Sequence, residues 1–249
     1  MGEPVIHLTC DERGIGLLSM EDREGRNALS APFVEALTLR LAEAGSRADL
    51  RVLVLRGLPE VFCAGASLDL LRGLAKGEVV PADIVLPRAV LDVPVPVIAA
   101  MEGHAVGGGL ALGLCADMVL IARESRYGAS FMNMGFTPGM GITRLLGHVL
   151  SPALANEILF CGENKRGAWF EGRSGFNAIL PRPEVLPRAM ELAARAAEKP
   201  RKALELLKRA RTVERRSDFE ESRTVESLMH EVSFAARGAL SRIEESYDE

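Results

Sequence analysis

Residues 102–117 read EGHAVGGGLALGLCAD, with three consecutive glycines, Gly107, Gly108 and Gly109, between an apolar stretch ending at Ala100 and another beginning at Leu110. Glycine inside a helix costs roughly 1 kcal/mol relative to alanine, so a triplet needs a reason. Neither familiar glycine motif supplies one. A dinucleotide fingerprint starting at Gly107 requires Gly or Ala where Leu112 stands, and a phosphate-binding loop requires a lysine after its last glycine. What remains is an order: strand (97–100), loop, glycines, apolar helix from about Leu110. At a helix N-terminus the first N–H groups are unpaired and the helix dipole stands behind them; glycine lets a ligand come close. That geometry polarises a carbonyl or holds an oxyanion. It also lets helix and sheet pack closely, and the triplet alone does not separate these readings.

A second junction of the same kind lies upstream. The apolar run 52–55 leads through a loop into FCAGAS at 62–67. Two strand-to-helix junctions built of small residues can each offer one N–H to a single oxygen. Further β-type runs at 5–8, 15–19 and 118–121 alternate with helical patterns. The clearest is 31–44, where Phe33, Val34, Leu37, Leu41 and Ala44 share one face behind the N-cap Ser30. Strands alternating with helices predict an α/β fold with a mostly parallel sheet. Beyond about Pro181 the pattern becomes helical throughout, which divides the chain into a β/α core, 1–181, and a helical C-terminal region, 182–249.

Composition narrows the function classes. The chain has 249 residues, 48% of them hydrophobic, and a net charge of −4, which disfavours nucleic acid as a partner. Cys10, Cys63, Cys115 and Cys161 are far apart and have no metal-ligand spacing, so no metal is expected and the thiols are expected reduced. The first residues lack the basic start and apolar run of a signal peptide, and no apolar run reaches the ~20 residues of a membrane span. A cytoplasmic protein that does not engage a membrane is the expectation.

Several stretches together carry a family resemblance: Asn27-Ala28-Leu29, FCAGAS, Pro96–Ala100 running into Gly103, the glycine triplet, Ala116-Asp117, and Thr137-Pro138-Gly139-Met140-Gly141. The chain resembles the enoyl-CoA hydratase/isomerase (crotonase) superfamily over nearly its whole length. The resemblance implies a spiral of ββα repeats, a helical C-terminal region used in trimer formation (homotrimer or hexamer), and an acyl-thioester substrate with no cofactor. It also implies an oxyanion hole made by the backbone N–H groups of Ala66 and Gly108.

Hydratases of this family handle water with two glutamates. Their matching positions here are Ala111 and Phe131, neither of which can exchange a proton. The chemistry left needs an oxyanion hole without a water-activating acid, and decarboxylation fits. The stretches AAMEGHAVGGGLALGLCAD and SFMNMGFTPGMG resemble decarboxylating crotonases of polyketide β-branching cassettes. These convert a 3-methylglutaconyl group on an acyl carrier protein to a 3-methylcrotonyl thioester. The alternatives are an isomerase, hydratase-like enzyme or thioesterase on the same scaffold, and a non-catalytic acyl-thioester binder.

The resemblance then implies a catalytic lysine from the mobile region after FCAGAS, where Lys76 stands with Arg72 as the substitute, and a catalytic histidine, His230, in Leu228-Met229-His230-Glu231. Phe131, Met132, Met134 and Phe136 are expected to form an apolar pocket wall, with ordinary core packing as the competing reading. His104 is expected to brace its loop. Cys63 is a nucleophile only if its surroundings lower its pKa. The run RKALELLKRARTVERR, 201–216, carries seven basic and two acidic residues. It reads equally as a face for an acidic carrier protein or as a solvated helix surface.

Overall fold

The run VLVLR became the central strand β3 (Val52–Arg56), and four of its five residues are buried. Continuous rather than alternating apolarity is what a strand covered on both faces requires. In the computed structural model, which describes residues 6–80, 86–236 and 238–248, β3 lies within a six-stranded sheet. β1 (Ile6–Cys10) and β2 (Ile15–Met20) form an antiparallel hairpin. β2, β3, β5 (Val97–Met101), β7 (Met118–Ala122) and β10 (Ala178–Leu180) then run parallel in that spatial order. Val5, expected in the first strand, lies outside the described residues.

The second sheet has no clear trace in the sequence pattern. β4 (Val61–Cys63), β6 (His104–Val106), β8 (Arg126–Gly128) and β9 (Asn164–Arg166) are each three residues long, too short to show a period. β4, β6 and β8 pair parallel and β9 closes the edge antiparallel. The result is an α/β architecture of two mixed sheets with helices at the C-terminal end.

Helix α1 (Ala31–Ser46) starts at Ser30, whose side chain accepts from the Phe33 N–H, and buries Phe33, Leu37, Leu41 and Ala44. These join the core on one face of the large sheet with Leu53, Leu55 and Ala99. The other face, through Val52, Val54, Ile98, Ala100, Leu120 and Ala122, is covered by helix α7 (Arg182–Ala197). The buried α7 residues Val185, Ala189, Ala193 and Ala197 recur every four positions, and their small side chains bring helix and sheet close. The first helix after Leu180 thus closes the β/α core. Helices α8 (Arg201–Arg211), α9 (Val213–Phe234) and α10 (Ala239–Asp248) follow.

One ionic cluster ties the two ends of the fold together. Asp117 follows helix α4 (Gly108–Leu114) and accepts from the Val97 N–H at 2.8 Å, from Lys208 Nζ at 2.5 Å, and from Arg215. Arg215 also donates to the Cys115 and Ala116 carbonyls at 3.2 and 2.6 Å, satisfying the C-terminus of α4. Burial pushes the Lys208 ammonium pKa down, and Asp117 pulls it back. Lys208→Ala leaves the Asp117 charge with one cationic partner fewer. A buried pair broken from one side costs about 3 kcal/mol. Urea unfolding should show that loss as a lower midpoint at unchanged slope.

Candidate active site

Two helix N-termini converge on one cavity. Helix α2 (Leu68–Ala75) is capped by Ser67, whose Oγ accepts from the Leu70 N–H at 3.2 Å, so Ala66 stands just before the cap. Helix α4 begins at Gly108 after Gly107, which has φ +56° and donates its N–H to the Gly128 carbonyl at 2.9 Å. The N–H groups of Ala66 and Gly108 have no partner among the described residues. Gly65, with φ +91°, sits against this junction: a Cβ there would lie 2.8 Å from the Val106 carbonyl and 3.8 Å from the Gly108 nitrogen. The Gly65 carbonyl accepts from the Leu29 N–H at 2.7 Å, which holds the peptide carrying the Ala66 N–H.

The triplet now has a reason at each position. Gly107 makes the left-handed turn. A Cβ on Gly108 would stand 2.6 Å from Met140 Sδ and 2.8 Å from Leu29 Cδ1, and one on Gly109 would stand 2.2 Å from the Cys63 carbonyl oxygen. The helix therefore both packs tightly and presents its first N–H, so the two readings of the triplet are compatible.

The cavity has a volume of ≈ 50 Å³; Ala66, Gly108, Phe131, Phe136, Glu226 and His230 are among the residues lining it. His230 is 6% exposed on α9, and its Nε2 lies 2.8 Å from the Thr137 carbonyl oxygen. A carbonyl only accepts, so Nε2 carries the proton and Nδ1 holds the lone pair. Nδ1 is buried without a partner among the described residues. Burial pushes the imidazole pKa below its ordinary value, and the Thr137 and Pro138 backbone acts in the opposite sense. The ring is therefore neutral at pH 7. Phe136 stands edge-on to it at 6.2 Å and Phe234 at 5.2 Å. Gly139 packs on its Cε1 edge, where a Cβ would lie 2.5 Å from Cε1.

The expected apolar wall divides. Phe131 and Phe136 line the cavity and meet edge-to-face at 5.9 Å. Met132 does not belong to the wall: the 3-10 turn Ser130–Met134 directs it outward and leaves it 42% exposed. Met134 is half-buried against the core rather than lining the cavity. Phe234 and Glu226, which sequence reasoning passed over, complete the surroundings of His230. They lie four residues from His230 on either side along α9, so the helical period was the signal available.

Lys76 is placed differently. It is the exposed C-cap of α2 and lines a second cavity of ≈ 370 Å³ with Val79, Val80, Glu231 and Phe234. His230 and Leu74 line both cavities. The Lys76 ammonium has no ionic partner among the described residues. Arg72 is held by Glu244 of α10 at 3.0 Å and by Asp69 at 3.8 Å.

Other candidates resolve on simple grounds. His104 Nδ1 accepts from the Arg126 N–H at 2.8 Å and so links its loop to β8. Burial pushes the Cys63 thiol up to about 12, which removes it as a nucleophile. No group of three or more His, Cys, Asp or Glu side chains could hold a metal among the described residues. None of the described helices is long and apolar enough to cross a membrane. The basic run is only partly a free face: Lys208 is buried and Arg215 half-buried on Asp117, Arg216 holds the Leu91 carbonyl and Asp92, and Arg201 holds the Ala48 carbonyl and Glu205.

The enoyl-CoA hydratase/isomerase family model matches residues 11–245. The chain belongs to the enoyl-CoA hydratase/isomerase family. Within that family it is 37% identical over 247 residues to bacillaene synthase decarboxylase PksI of Bacillus subtilis strain 168, covering 99% of both chains. It superimposes with a TM-score of 0.95 on a solved structure from a dehydratase/decarboxylase enzyme couple involved in polyketide beta-branching, at 37% identity and covering 98% of this chain and 100% of that one. The decarboxylase domain of CurF from Lyngbya majuscula gives a TM-score of 0.91 at 34% identity, with 98% and 99% covered. Methylglutaconyl-CoA hydratase of Homo sapiens, another member, is 32% identical over 63% of this chain. At 34–37% identity the chain is thus homologous over its full length to the PksI and CurF decarboxylases.

Proposed function

We propose that this family member is a decarboxylase of a 3-methylglutaconyl thioester carried on an acyl carrier protein, releasing CO2 and a 3-methylcrotonyl thioester. The observation that carries the reading is one cavity holding two free N–H groups and a buried histidine, with no carboxylate available to activate water. Ala111 and Phe131 stand where the hydratase glutamates would be. The carboxylate that does line the cavity, Glu226, is occupied by the Gly141 N–H at 2.7 Å and by Thr143 N–H and Oγ1 at 3.2 and 2.6 Å.

In this reading the thioester carbonyl accepts from Ala66 and Gly108. The C–CO2⁻ bond breaks, its electron pair moves through the conjugated C=C onto the thioester oxygen, and the two N–H groups stabilise the dienolate. The substrate carboxylate favours protonation of the neighbouring His230 at Nδ1. That proton is returned to the dienolate carbon, so each turnover consumes one solvent proton. The aromatic surroundings exclude water and weaken solvation of the departing carboxylate. Lys76, beyond His230, meets the carboxylate from the second cavity.

Mass spectrometry of a carrier protein loaded with 3-methylglutaconyl should show loss of CO2 on incubation with the protein, while a crotonyl thioester should gain no water. Efficient hydration of crotonyl-CoA would overturn the assignment. Lys76→Ala removes a charge-assisted contact and should lower kcat/KM roughly ten- to a hundred-fold. An unchanged kcat/KM would remove Lys76 from the reaction.

Carrier recognition is assigned to the part of the basic run that stays free. Arg209 and Arg211 are exposed on α8, whereas Arg216 already bridges to Asp92. Arg209→Glu with Arg211→Glu should raise KM for the carrier-bound substrate at low salt and leave a pantetheine thioester unaffected. Equal KM values for the carrier-bound substrate would return this helix to a merely solvated face. The exposed Val225, Leu228 and Val232 along α9 support assembly with further copies of the chain, as a trimer or hexamer.

A further inference from the structure

The 137–143 loop is fastened to α9 by a ladder of three side chains. Glu226 Oε2 accepts from the Gly141 N–H at 2.7 Å, and Oε1 accepts from the Thr143 N–H and hydroxyl at 3.2 and 2.6 Å. One helical turn on, His230 Nε2–H donates to the Thr137 carbonyl at 2.8 Å. Ser233 Oγ then accepts from the Thr137 N–H at 3.3 Å and lies 3.2 Å from its hydroxyl. Residues 226, 230 and 233 follow the i, i+4, i+7 spacing of one helix face. Glu226 is 2% exposed, and burial pushes its carboxyl pKa up; the three donors to its two oxygens act in the opposite sense and match the ionised carboxylate.

We propose that Glu226 is the positioning residue of this site: by anchoring the 137–143 loop on α9 it sets the Thr137 carbonyl against Nε2–H and so keeps Nδ1 as the basic atom of His230, the one that takes up and delivers the catalytic proton. The inference deepens the decarboxylase reading and rests on it for its catalytic consequence. Two features make the anchor matter to the ring. Gly139 lies against the Cε1 edge of the imidazole with no room for a Cβ, so a shift of the loop moves a wall of the ring's slot. Gly141 is left-handed, φ +82°, and is the N-cap of helix α5 (Ile142–Leu145), so its N–H direction is set by its partner. The Glu226 carboxylate therefore fixes the loop at its hinge.

The charged groups around His230 are Glu226 and Glu231 on α9, Arg223 further along the same helix, and Lys76 across the second cavity; the loop contributes only backbone. Replacing Glu226 removes the one buried anion among them and loosens the Thr137 carbonyl, and both changes disfavour the imidazolium. Glu226→Gln is nearly isosteric but puts an NH2 where one N–H must be accepted.

The direct test is NMR. The His230 Cε1–H and ring nitrogens, assigned by comparison with His230→Gln, report titration and tautomer without any turnover. In Glu226→Gln the His230 titration should move to lower pH by about half a unit or more, and the Nε2–H tautomer should lose its dominance. Thr143→Val, which removes one of the three bonds, should show a smaller change in the same direction. On the carrier-bound substrate, kcat should fall about ten-fold or more with KM within about three-fold. An unchanged His230 titration and tautomer in a folded Glu226→Gln protein would overturn the proposal, as would a lowered melting temperature with an unchanged kcat. If both proteins lack decarboxylation but the titration shifts, Glu226 still positions His230, and it is the assigned reaction that fails.

Discussion

His230→Ala is expected to lower kcat by ~10²–10⁴-fold, the usual range for loss of a placed acid–base group, with a smaller effect on KM. The substrate thioester is held by backbone N–H groups that the substitution does not touch, so binding survives. What is lost is the atom that takes up a proton beside the carboxylate and returns it to the dienolate. The pH dependence gives the sign. Burial holds the His230 pKa below its ordinary value in the free protein, so the unfolded chain takes up this proton first as pH falls. Stability tied to the neutral ring is full above the unfolded pKa of about 6.5 and is lost as pH falls through that value toward the lower folded one. Activity runs the other way, since catalysis needs the proton: kcat should decline on the alkaline side. Steady-state profiles of both proteins check this. A His230→Ala enzyme with the wild-type kcat and the same alkaline limb would remove the histidine from the reaction.

Gly108→Ala is expected to cost ~10²–10³-fold in kcat, the magnitude of losing one oxyanion-hole donor. The added methyl would meet Met140 Sδ at 2.6 Å and the buried Leu29 Cδ1 at 2.8 Å. Met140 can bend away at its flexible end, but Leu29 is 1% exposed and fixed by the core. The start of α4 must move instead, and the N–H loses its aim. A melting temperature close to wild type, together with the rate loss, places the defect in the hole rather than in folding. Full activity in a folded Gly108→Ala protein would place the thioester oxygen elsewhere.

The local elements that build this site were legible because each has a short-range cause. The strands β2, β3, β5 and β7 stood out as runs of apolar residues, α1 as a periodic face behind Ser30, and the two strand-to-helix junctions as clusters of small residues. Those causes act within a few residues, so they survive in one dimension. The same holds for the missing hydratase chemistry, since Ala111 and Phe131 cannot exchange protons in any fold. The second sheet was not legible. Its three-residue strands are held by pairing between distant segments, as between Val61 and His104, and they carry no period of their own.

The sequence by itself determined which groups this protein can use: two glycine-opened helix starts, a histidine on an amphipathic helix, and no acid at the water-handling positions. Tertiary structure decided how they are arranged. Met132 reads as apolar wall, yet the 3-10 turn directs it outward. Lys76 follows the oxyanion segment closely in sequence, yet α2 carries it past His230 to another cavity. Arg72, equally near, is held by Glu244, 172 residues away. Glu226 looks like one more charge on a charged helix, and only the return of the 137–143 loop to α9 gives it three donors. The physical reason is common to all four: the direction of a side chain and the partner of a charge depend on which segments the core brings together, and that is set by burial over the whole chain.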